Sequence, residues 1–321
     1  MELKSYLLHS GKLQKQADIS VPPDLEASAS QEVWYDIVDA RSDELKKTLS
    51  AFKLHPLMLN RCLDKISTPG VISFGNAILM EYPVAVNLDT DEPSYISIIL
   101  QYPMLITVRH SALPVIDDMV AALMLKKEAD INHLVQLVYI ILDELTDLSV
   151  QAETGLRDEI LRTSGKLSSN PTAVKEQELG NLRMKVEKLV SLIEDQLYCV
   201  TGLSVTDNEA LQEPHRKAYV QDLVSEVEIA QRGIYRLEAR VKDLFDSYQM
   251  VASSRVEKRL RILTIVSTIT LPFGLIAGLL GMNVGGLPGT QDPHGFVIVI
   301  VLMLAIAAAE LLYFKSKGWF D

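Results

Sequence analysis

The chain of 321 residues carries 31 Lys and Arg against 42 Asp and Glu, a formal net charge of -11. That acid excess argues against a nucleic-acid partner, because phosphate binding needs a basic face. Two cysteines, Cys62 and Cys199, are too few for a disulfide framework and fit a reducing compartment.

Met1 to Lys15 is polar and charged, with no continuous apolar run and no small-residue cleavage site, so no signal peptide is expected there. Val33 to Val38 alternates and is rich in β-formers, and Ser42 is placed to cap a helix running through Lys47. Val71 to Phe74, Ala77 to Val86, Tyr95 to Leu100 and Met104 to Val108 read as further strands. Helices and strands interleaved in this way imply an α/β layer domain over residues 1–114. Residues 115–214 turn helical: Val115 to Leu125, Ile131 to Ser149 and Glu176 to Val200 carry apolar residues at three- and four-residue steps. Thr163 to Thr172 reads as a loop, with Gly165, Ser168, Ser169, Asn170 and Pro171 in it, and Gly202 to Pro214 as a second break. From about His215 to Leu280 the only proline is Pro272, and the only glycine before the apolar run is Gly233. One helix of some 65 residues, roughly 100 Å long, is therefore expected, with a bend at Gly233 as the alternative. Its part 215–261 is a stalk that needs copies or long neighbours to pack against.

Two apolar runs follow, Ile262 to Leu280 and Phe296 to Phe314, each of 19 residues and long enough to cross ~30 Å of hydrocarbon. Arg255, Lys258, Arg259 and Arg261 precede the first, and Lys315 and Lys317 follow the second in the tail 315–321. The connection 281–295 contains no Lys or Arg. Both termini are thus expected in the cytoplasm and the short loop outside, in a multi-pass protein of the cell (plasma) membrane.

Alternating steps of three and four from Glu257 give Leu260, Thr264, Ser267, Leu271, Gly274, Gly278 and Gly281. This 3.5-residue repeat keeps one face turned toward a common axis, and apart from the two leucines the face is polar or small. Close helix packing alone would also favour small residues. Hydroxyl and glycine steps ending at Asn283 instead fit a water-accessible lining, with Leu260 and Leu271 as constrictions that gate by dewetting. Ile262, Ile265, Val266, Ile269, Phe273, Ile276 and Leu280 suit lipid or a neighbouring span. Glu310, the one acid inside either run, lies near an interface where snorkelling or pairing with Lys315 costs little.

Gly281-Met282-Asn283 directly after the first of two terminal spans resembles the CorA family of divalent-cation channels, within the metal ion transporter superfamily. Leu263-Thr264-Ile265-Val266-Ser267-Thr268-Ile269, Leu271-Pro272 and Ile276-Ala277-Gly278 read along that family's first-span pattern. Tyr313 to Trp319 is similar to its basic, tryptophan-bearing tail. Val33-Trp34-Tyr35-Asp36, Leu54-His55-Pro56-Leu57 with Cys62-Leu63-Asp64, and Leu105-Ile106-Thr107-Val108 match landmarks of its soluble part. The resemblance implies a homopentameric funnel of α+β/α class: an N-terminal cytoplasmic α/β domain, a stalk helix continuing into a pore-lining transmembrane helix, and a second, peripheral one. It also implies that Gly281, Met282 and Asn283 form the outer selectivity filter. Glu257, Leu260, Leu263, Ser267, Leu271, Gly274 and Gly278 fall in register with family pore positions, and Thr264 joins them from the stripe. Asp222 is in register with a family regulatory-metal position, and Asp89 and Asp91 of Asp89-Thr90-Asp91-Glu92 are further candidates to meet metal across subunit interfaces.

The expected function is a channel admitting Mg²⁺, with Co²⁺ and Ni²⁺ as surrogates, gated by intracellular metal. A neutral filter suits Mg²⁺, which keeps its waters and is held through its outer shell. Two departures bear on the ion. Asn60-Arg61 stands where the family often has Glu-Asp, and the loop Val284-Gly285-Gly286-Leu287-Pro288-Gly289, with Asp292 its one acid, looks like the zinc-transporting ZntB branch. Met282 favours magnesium; Zn²⁺ transport is the alternative. No phosphate-binding glycine loop and no Cys/His zinc pattern occurs, so no enzyme is expected. His55 reads as a satisfied domain histidine. A cytoplasmic scaffold or metal sensor anchored by a helical hairpin is the alternative of another class, one that would need no polar stripe.

Overall fold

The structure is a computed structural model and describes residues 2–16, 31–38, 42–63, 68–85, 88–89, 94–125, 131–171, 173–283 and 293–319. They fall into two compact units, Met1–Leu244 and Phe245–Asp321.

The first unit is built on a seven-stranded sheet of β1 (Glu2–His9), β2 (Lys12–Lys15), β3 (Glu32–Val38), β4 (Gly70–Phe74), β5 (Ala77–Val84), β6 (Ser94–Gln101) and β7 (Met104–Arg109), in the order β2-β1-β3-β7-β6-β5-β4. Every neighbouring pair is antiparallel except β3 and β7, which run parallel with Val33 opposite Met104. The helices α1 (Ser42–Ser50) and α2 (Pro56–Leu63) cover one face: Leu45, Leu49, Phe52, Met58 and Cys62 pack with Tyr35, Ile37, Leu79, Ile99, Ile106 and Val108. On the other face Ile78, Met80, Ile98 and Leu100 line a small apolar pocket with residues of α4 (Leu134–Ser169), α5 (Glu176–Val205) and α6 (Pro214–Leu280). Burial on both faces is why β5 and β7 are apolar almost throughout instead of alternating.

The sequence expectations for β3 to β7 hold to within two residues. The hairpin β1–β2 was not anticipated, because Met1 to Lys15 reads as polar; its signal is Ser10-Gly11, a turn with φ of 51° and 74° that sets His9 opposite Lys12. The segment α2 also escaped the sequence reading. The expected loop at Thr163 to Thr172 is corrected: α4 continues to Ser169, followed by α5 from Glu176. Ile160, Thr163 and Leu167 extend the buried face of α4. The hydroxyls that suggested a loop turn back on the helix, Ser168 Oγ donating to the Ser164 carbonyl (3.0 Å) and Ser169 Oγ to that of Gly165 (2.9 Å). The helix α3 (Pro114–Leu125) buries Ile116, Met119, Val120 and Leu123.

Gly233 does not interrupt α6, which runs as one helix of 67 residues. Within the first unit α6 buries Val220, Leu223, Val227, Ala230, Ile234, Leu237, Val241 and Leu244, a 3.5-residue repeat. The glycine serves a close approach instead: a Cβ at 233 would lie 2.7 Å from Oε2 of Glu153 on α4, whose Oε1 accepts from Arg157 Nη2 at 2.6 Å.

Candidate functional site

The second unit holds the end of α6 and α7 (Gly295–Ser316). Both helices are long and apolar enough to cross a membrane, with 18-residue windows of mean hydropathy 2.0 and 2.7 that are almost wholly unburied in the single chain. Their outer surface is apolar, as Ile262, Val266, Leu275, Phe296, Leu304 and Leu312 are all exposed. Such a surface in a single chain is the mark of a lipid-facing or partner-facing helix pair.

Burial divides α6 into two faces. Within this unit Ile265 is buried and Arg261, Ile269, Pro272, Phe273 and Ile276 are half-buried. On α7 Val299, Met303, Ile306, Ala307 and Glu310 are half-buried and Phe314 is buried, again at helical spacing. Of the residues expected to suit lipid or a neighbouring span, Ile265, Ile269, Phe273 and Ile276 lie on the covered face, whereas Ile262, Val266 and Leu280 are exposed. The polar stripe is not on the covered face. Glu257, Leu260, Leu263, Thr264, Ser267, Leu271, Gly274 and Gly278 are all exposed, as are Gly281, Met282 and Asn283, in which the stripe ends.

On the stripe Thr264 Oγ1 donates to the Leu260 carbonyl at 2.8 Å, and off it Thr268 and Thr270 do the same to Thr264 and Val266 at 2.8 and 2.7 Å. With their protons committed to the helix, these hydroxyls present lone pairs outward, which suits the water shell of a cation. Pro272 has no N–H for the Thr268 carbonyl, yet α6 continues through it. At the helix end Gly281 N donates to the Ala277 carbonyl at 2.9 Å, and a Cβ at 281 would lie 3.0 Å from that oxygen. At the other end Glu257 Oε1 pairs with Arg261 Nη2 at 3.1 Å. Glu310 is not paired with Lys315: it sits on the face of α7 turned to α6, and its Oε2 is buried without a hydrogen-bond partner among the described residues.

Of the acids expected to hold regulatory metal, Asp222 and Asp89 belong to the first unit, Asp222 on α6 and Asp89 outside any helix or strand. Asp222 on α6 accepts from Tyr139 Oη at 2.9 Å. Asp89 accepts from Lys185 Nζ of α5 at 2.9 Å, so an ammonium already balances it within the chain. Asp91 lies outside the described residues, as do Asp64, Asp292 and the loop 284–289. No group of three or more His, Cys, Asp or Glu is placed to hold a metal ion among the described residues. The sequence reading missed a pair one turn from Asp222. Glu226 of α6 and Asp143 of α4 hydrogen-bond, and burial, then Asp143, push the Glu226 carboxyl up from 4.5 to about 7; burial likewise raises Asp143. Its only sequence signal is the i, i+4 spacing of Asp143 with Asp147 and of Asp222 with Glu226. His55 is a satisfied domain histidine: its ring stacks on Phe74 at 4.0 Å and Nδ1 accepts from the Leu57 N–H.

Comparison with known proteins places this geometry. The chain is 26% identical over 337 residues to the cobalt/magnesium transport protein CorA of Thermotoga maritima, covering 99% of this chain and 92% of that one. It is 21% identical over 309 residues to the zinc transport protein ZntB of Yersinia enterocolitica, covering 94% and 91%. Its fold matches the complete structure of the CorA magnesium transporter from Methanocaldococcus jannaschii with a TM-score of 0.82 over 99% of both chains at 20% identity. The model of the CorA-like Mg²⁺ transporter proteins matches residues 29–316, nearly the whole chain. With its α/β unit, its two terminal apolar helices and that match, the chain belongs to the CorA family of divalent metal ion transporters.

Proposed function

We propose that this protein is a homopentameric channel for Mg²⁺ influx across the plasma membrane, lined by the polar face of α6 and filtered at Gly281-Met282-Asn283. The observation that carries the reading is the division of α6 into two faces. Ile265, Ile269, Phe273 and Ile276 of the apolar side are covered, whereas the whole stripe from Glu257 is open and leads, with Leu260, Leu263 and Leu271 among its polar and small residues, to Asn283. A helix with that surface is unsatisfied in a single chain. Copies arranged with the stripes inward give each hydroxyl, glycine and asparagine a water-filled axis to face. Both termini then lie in the cytoplasm, with the basic residues at 255–261 and 315–317 on the inner side.

On this reading five Asn283 side chains and the Gly281 carbonyls hold the hydrated ion from its outer shell, Leu260 and Leu271 form the narrow apolar rings, and Glu257 stands at the inner mouth. Intracellular Mg²⁺ closes the channel through acids including Asp222, whose mutual repulsion it cancels. Asp89 is neutralised by Lys185 and contributes less, unless the ion pair opens. The likeness to a zinc transport protein over nearly the full length supports Zn²⁺ as the alternative cargo. Flux into proteoliposomes, followed with Mg²⁺- and Zn²⁺-sensitive dyes, tests the reading. Wild type admits Mg²⁺ faster than Zn²⁺, and Asn283→Ala abolishes flux while the oligomer persists. Wild-type flux in Asn283→Ala would sink the filter assignment, and a protein that conducts neither ion would return the anchored scaffold or sensor.

A further inference from the structure

The four basic residues before the first span do not lie on the polar stripe of α6. Arg255 and Lys258 fall at the three- and four-residue steps that continue through Ile262, Ile265 and Ile269, on the side of α6 away from the stripe, and Arg259 and Arg261 flank them. Only Arg261 forms an ion pair with a described residue, with Glu257. Lys258 and Arg259 are exposed, and Nη2 of Arg255 is buried without a hydrogen-bond partner. The end of α7 carries two further cations just past its apolar run, in a turn held by its own contacts. Gly318, at φ 69°, turns the chain so that its N–H donates to the Lys315 carbonyl and that of Trp319 to the Phe314 carbonyl, both at 3.1 Å. The Trp319 ring packs on Phe314 at 5.0 Å, which holds Lys315 and Lys317 just past the apolar run, both exposed.

We propose that Arg255, Lys258 and Arg259 of α6 with Lys315 and Lys317 of α7 bind the phosphate of an anionic phospholipid, its acyl chains lying along the apolar surface of the two helices. The inference rests on the reading that these helices cross a bilayer. Two observations select a lipid over other anions. The cations cluster on the side of α6 away from the stripe proposed to conduct, so they do not repel the cargo. They also stand directly beside exposed apolar surface, at Ile262 and Leu312, which a soluble phosphate would not use. A chain with a net charge of -11 that carries cations before its first apolar run and after its second brings them to the same membrane face when both helices span, where a negative surface is met.

The full-length protein, extracted in mild detergent and stripped of lipid, is titrated with phosphatidylglycerol or phosphatidylcholine of the same acyl chains. Bound lipid is followed by native mass spectrometry and stability by the thermal midpoint. Phosphatidylglycerol is retained and raises the midpoint, and phosphatidylcholine does neither. Lys315→Gln/Lys317→Gln weakens phosphatidylglycerol binding about fivefold per cation removed, and Lys315→Arg/Lys317→Arg keeps it. Glycerol phosphate, which has the charge without the chains, does not compete. Asn283→Ala binds lipid as wild type does, so loss of transport and loss of this site are separable. Equal retention of both lipids, unchanged binding in the Gln variant, or full competition by glycerol phosphate each overturns the proposal. A Gln variant that loses oligomer mass in phosphatidylcholine, with no preference for phosphatidylglycerol, also overturns it and assigns these cations to acidic groups of another copy.

Discussion

Removing the guanidinium of Arg109 should be among the costliest single changes in the first unit. Arg109 ends β7, wholly buried, beside Asp36 of β3 at 1% exposure. Nε donates to Oδ1 at 3.1 Å and Nη2 to Oδ2 at 2.6 Å, a two-point contact across the one parallel strand pair. Nη1 also holds the Leu113 carbonyl at 3.0 Å at the turn into α3. Arg109→Met keeps the aliphatic stem but leaves Asp36 buried with Thr107 Oγ1, at 2.7 Å, as its remaining side-chain donor. Breaking a buried pair from one side costs about 3–5 kcal/mol, a large share of the ~5–15 kcal/mol that holds a domain together. The assay is built in, since Trp34 is fully buried and its Nε1 donates to the same Thr107 Oγ1 at 3.0 Å. With the other tryptophan removed by Trp319→Phe, urea unfolding followed by Trp34 fluorescence reports this network directly. Arg109→Met/Asp36→Leu should recover part of the loss, because no charge is then stranded. Asp117→Ala, which removes an acid whose side chain is 44% exposed, should cost about 0–1 kcal/mol. An Arg109→Met protein within ~1 kcal/mol of wild type would refute the reasoning.

Further outcomes follow from other sites. The folded value of Glu226, about 7, lies above its ordinary 4.5, so the folded protein holds a proton there that the unfolded chain releases. Its contribution to stability is therefore full below pH 4.5 and is lost as pH rises through about 7; Glu226→Gln should flatten that part of the slope in a thermal-shift pH series, and an unchanged slope would dismiss the pair. Gly233→Ala should gain less than the ~1 kcal/mol alanine gives in a helix, because the Glu153 carboxyl must shift, and Gly233→Ala in a Glu153→Ala background should gain it in full; equal gains in both backgrounds would show that the close approach costs nothing. Light scattering of the mildly extracted protein should give a pentameric mass, and a monomer would contradict the inward-facing stripes. Millimolar Mg²⁺ should raise the thermal midpoint by mass action, less so in Asp222→Ala, whereas the same shift in both would leave Asp222 without a regulatory role.

What the amino-acid sequence determined by itself is whatever depends on neighbours within a few turns. The two apolar runs, their basic flanks, the 3.5-residue stripe from Glu257 to Gly281 and the Gly281-Met282-Asn283 end are all local, and a helix exposes its periodicity directly in its spacing. Tertiary structure decided everything that rests on a partner distant in the chain. Asp36 and Arg109, 73 positions apart, are ordinary charges until β3 and β7 pair. Gly233 reads as a hinge until Glu153 is seen against it, and the Thr163–Ser169 hydroxyls read as loop until Leu167 is found buried. The strands β1 and β2 look like a polar terminus because β2 is the sheet edge, with only Leu13 buried, and β1 beside it buries only Ser5 and Tyr6. Asp143 and Glu226 come together only when α4 lies along α6, because burial and a shared proton are properties of packing that no local pattern of charge contains.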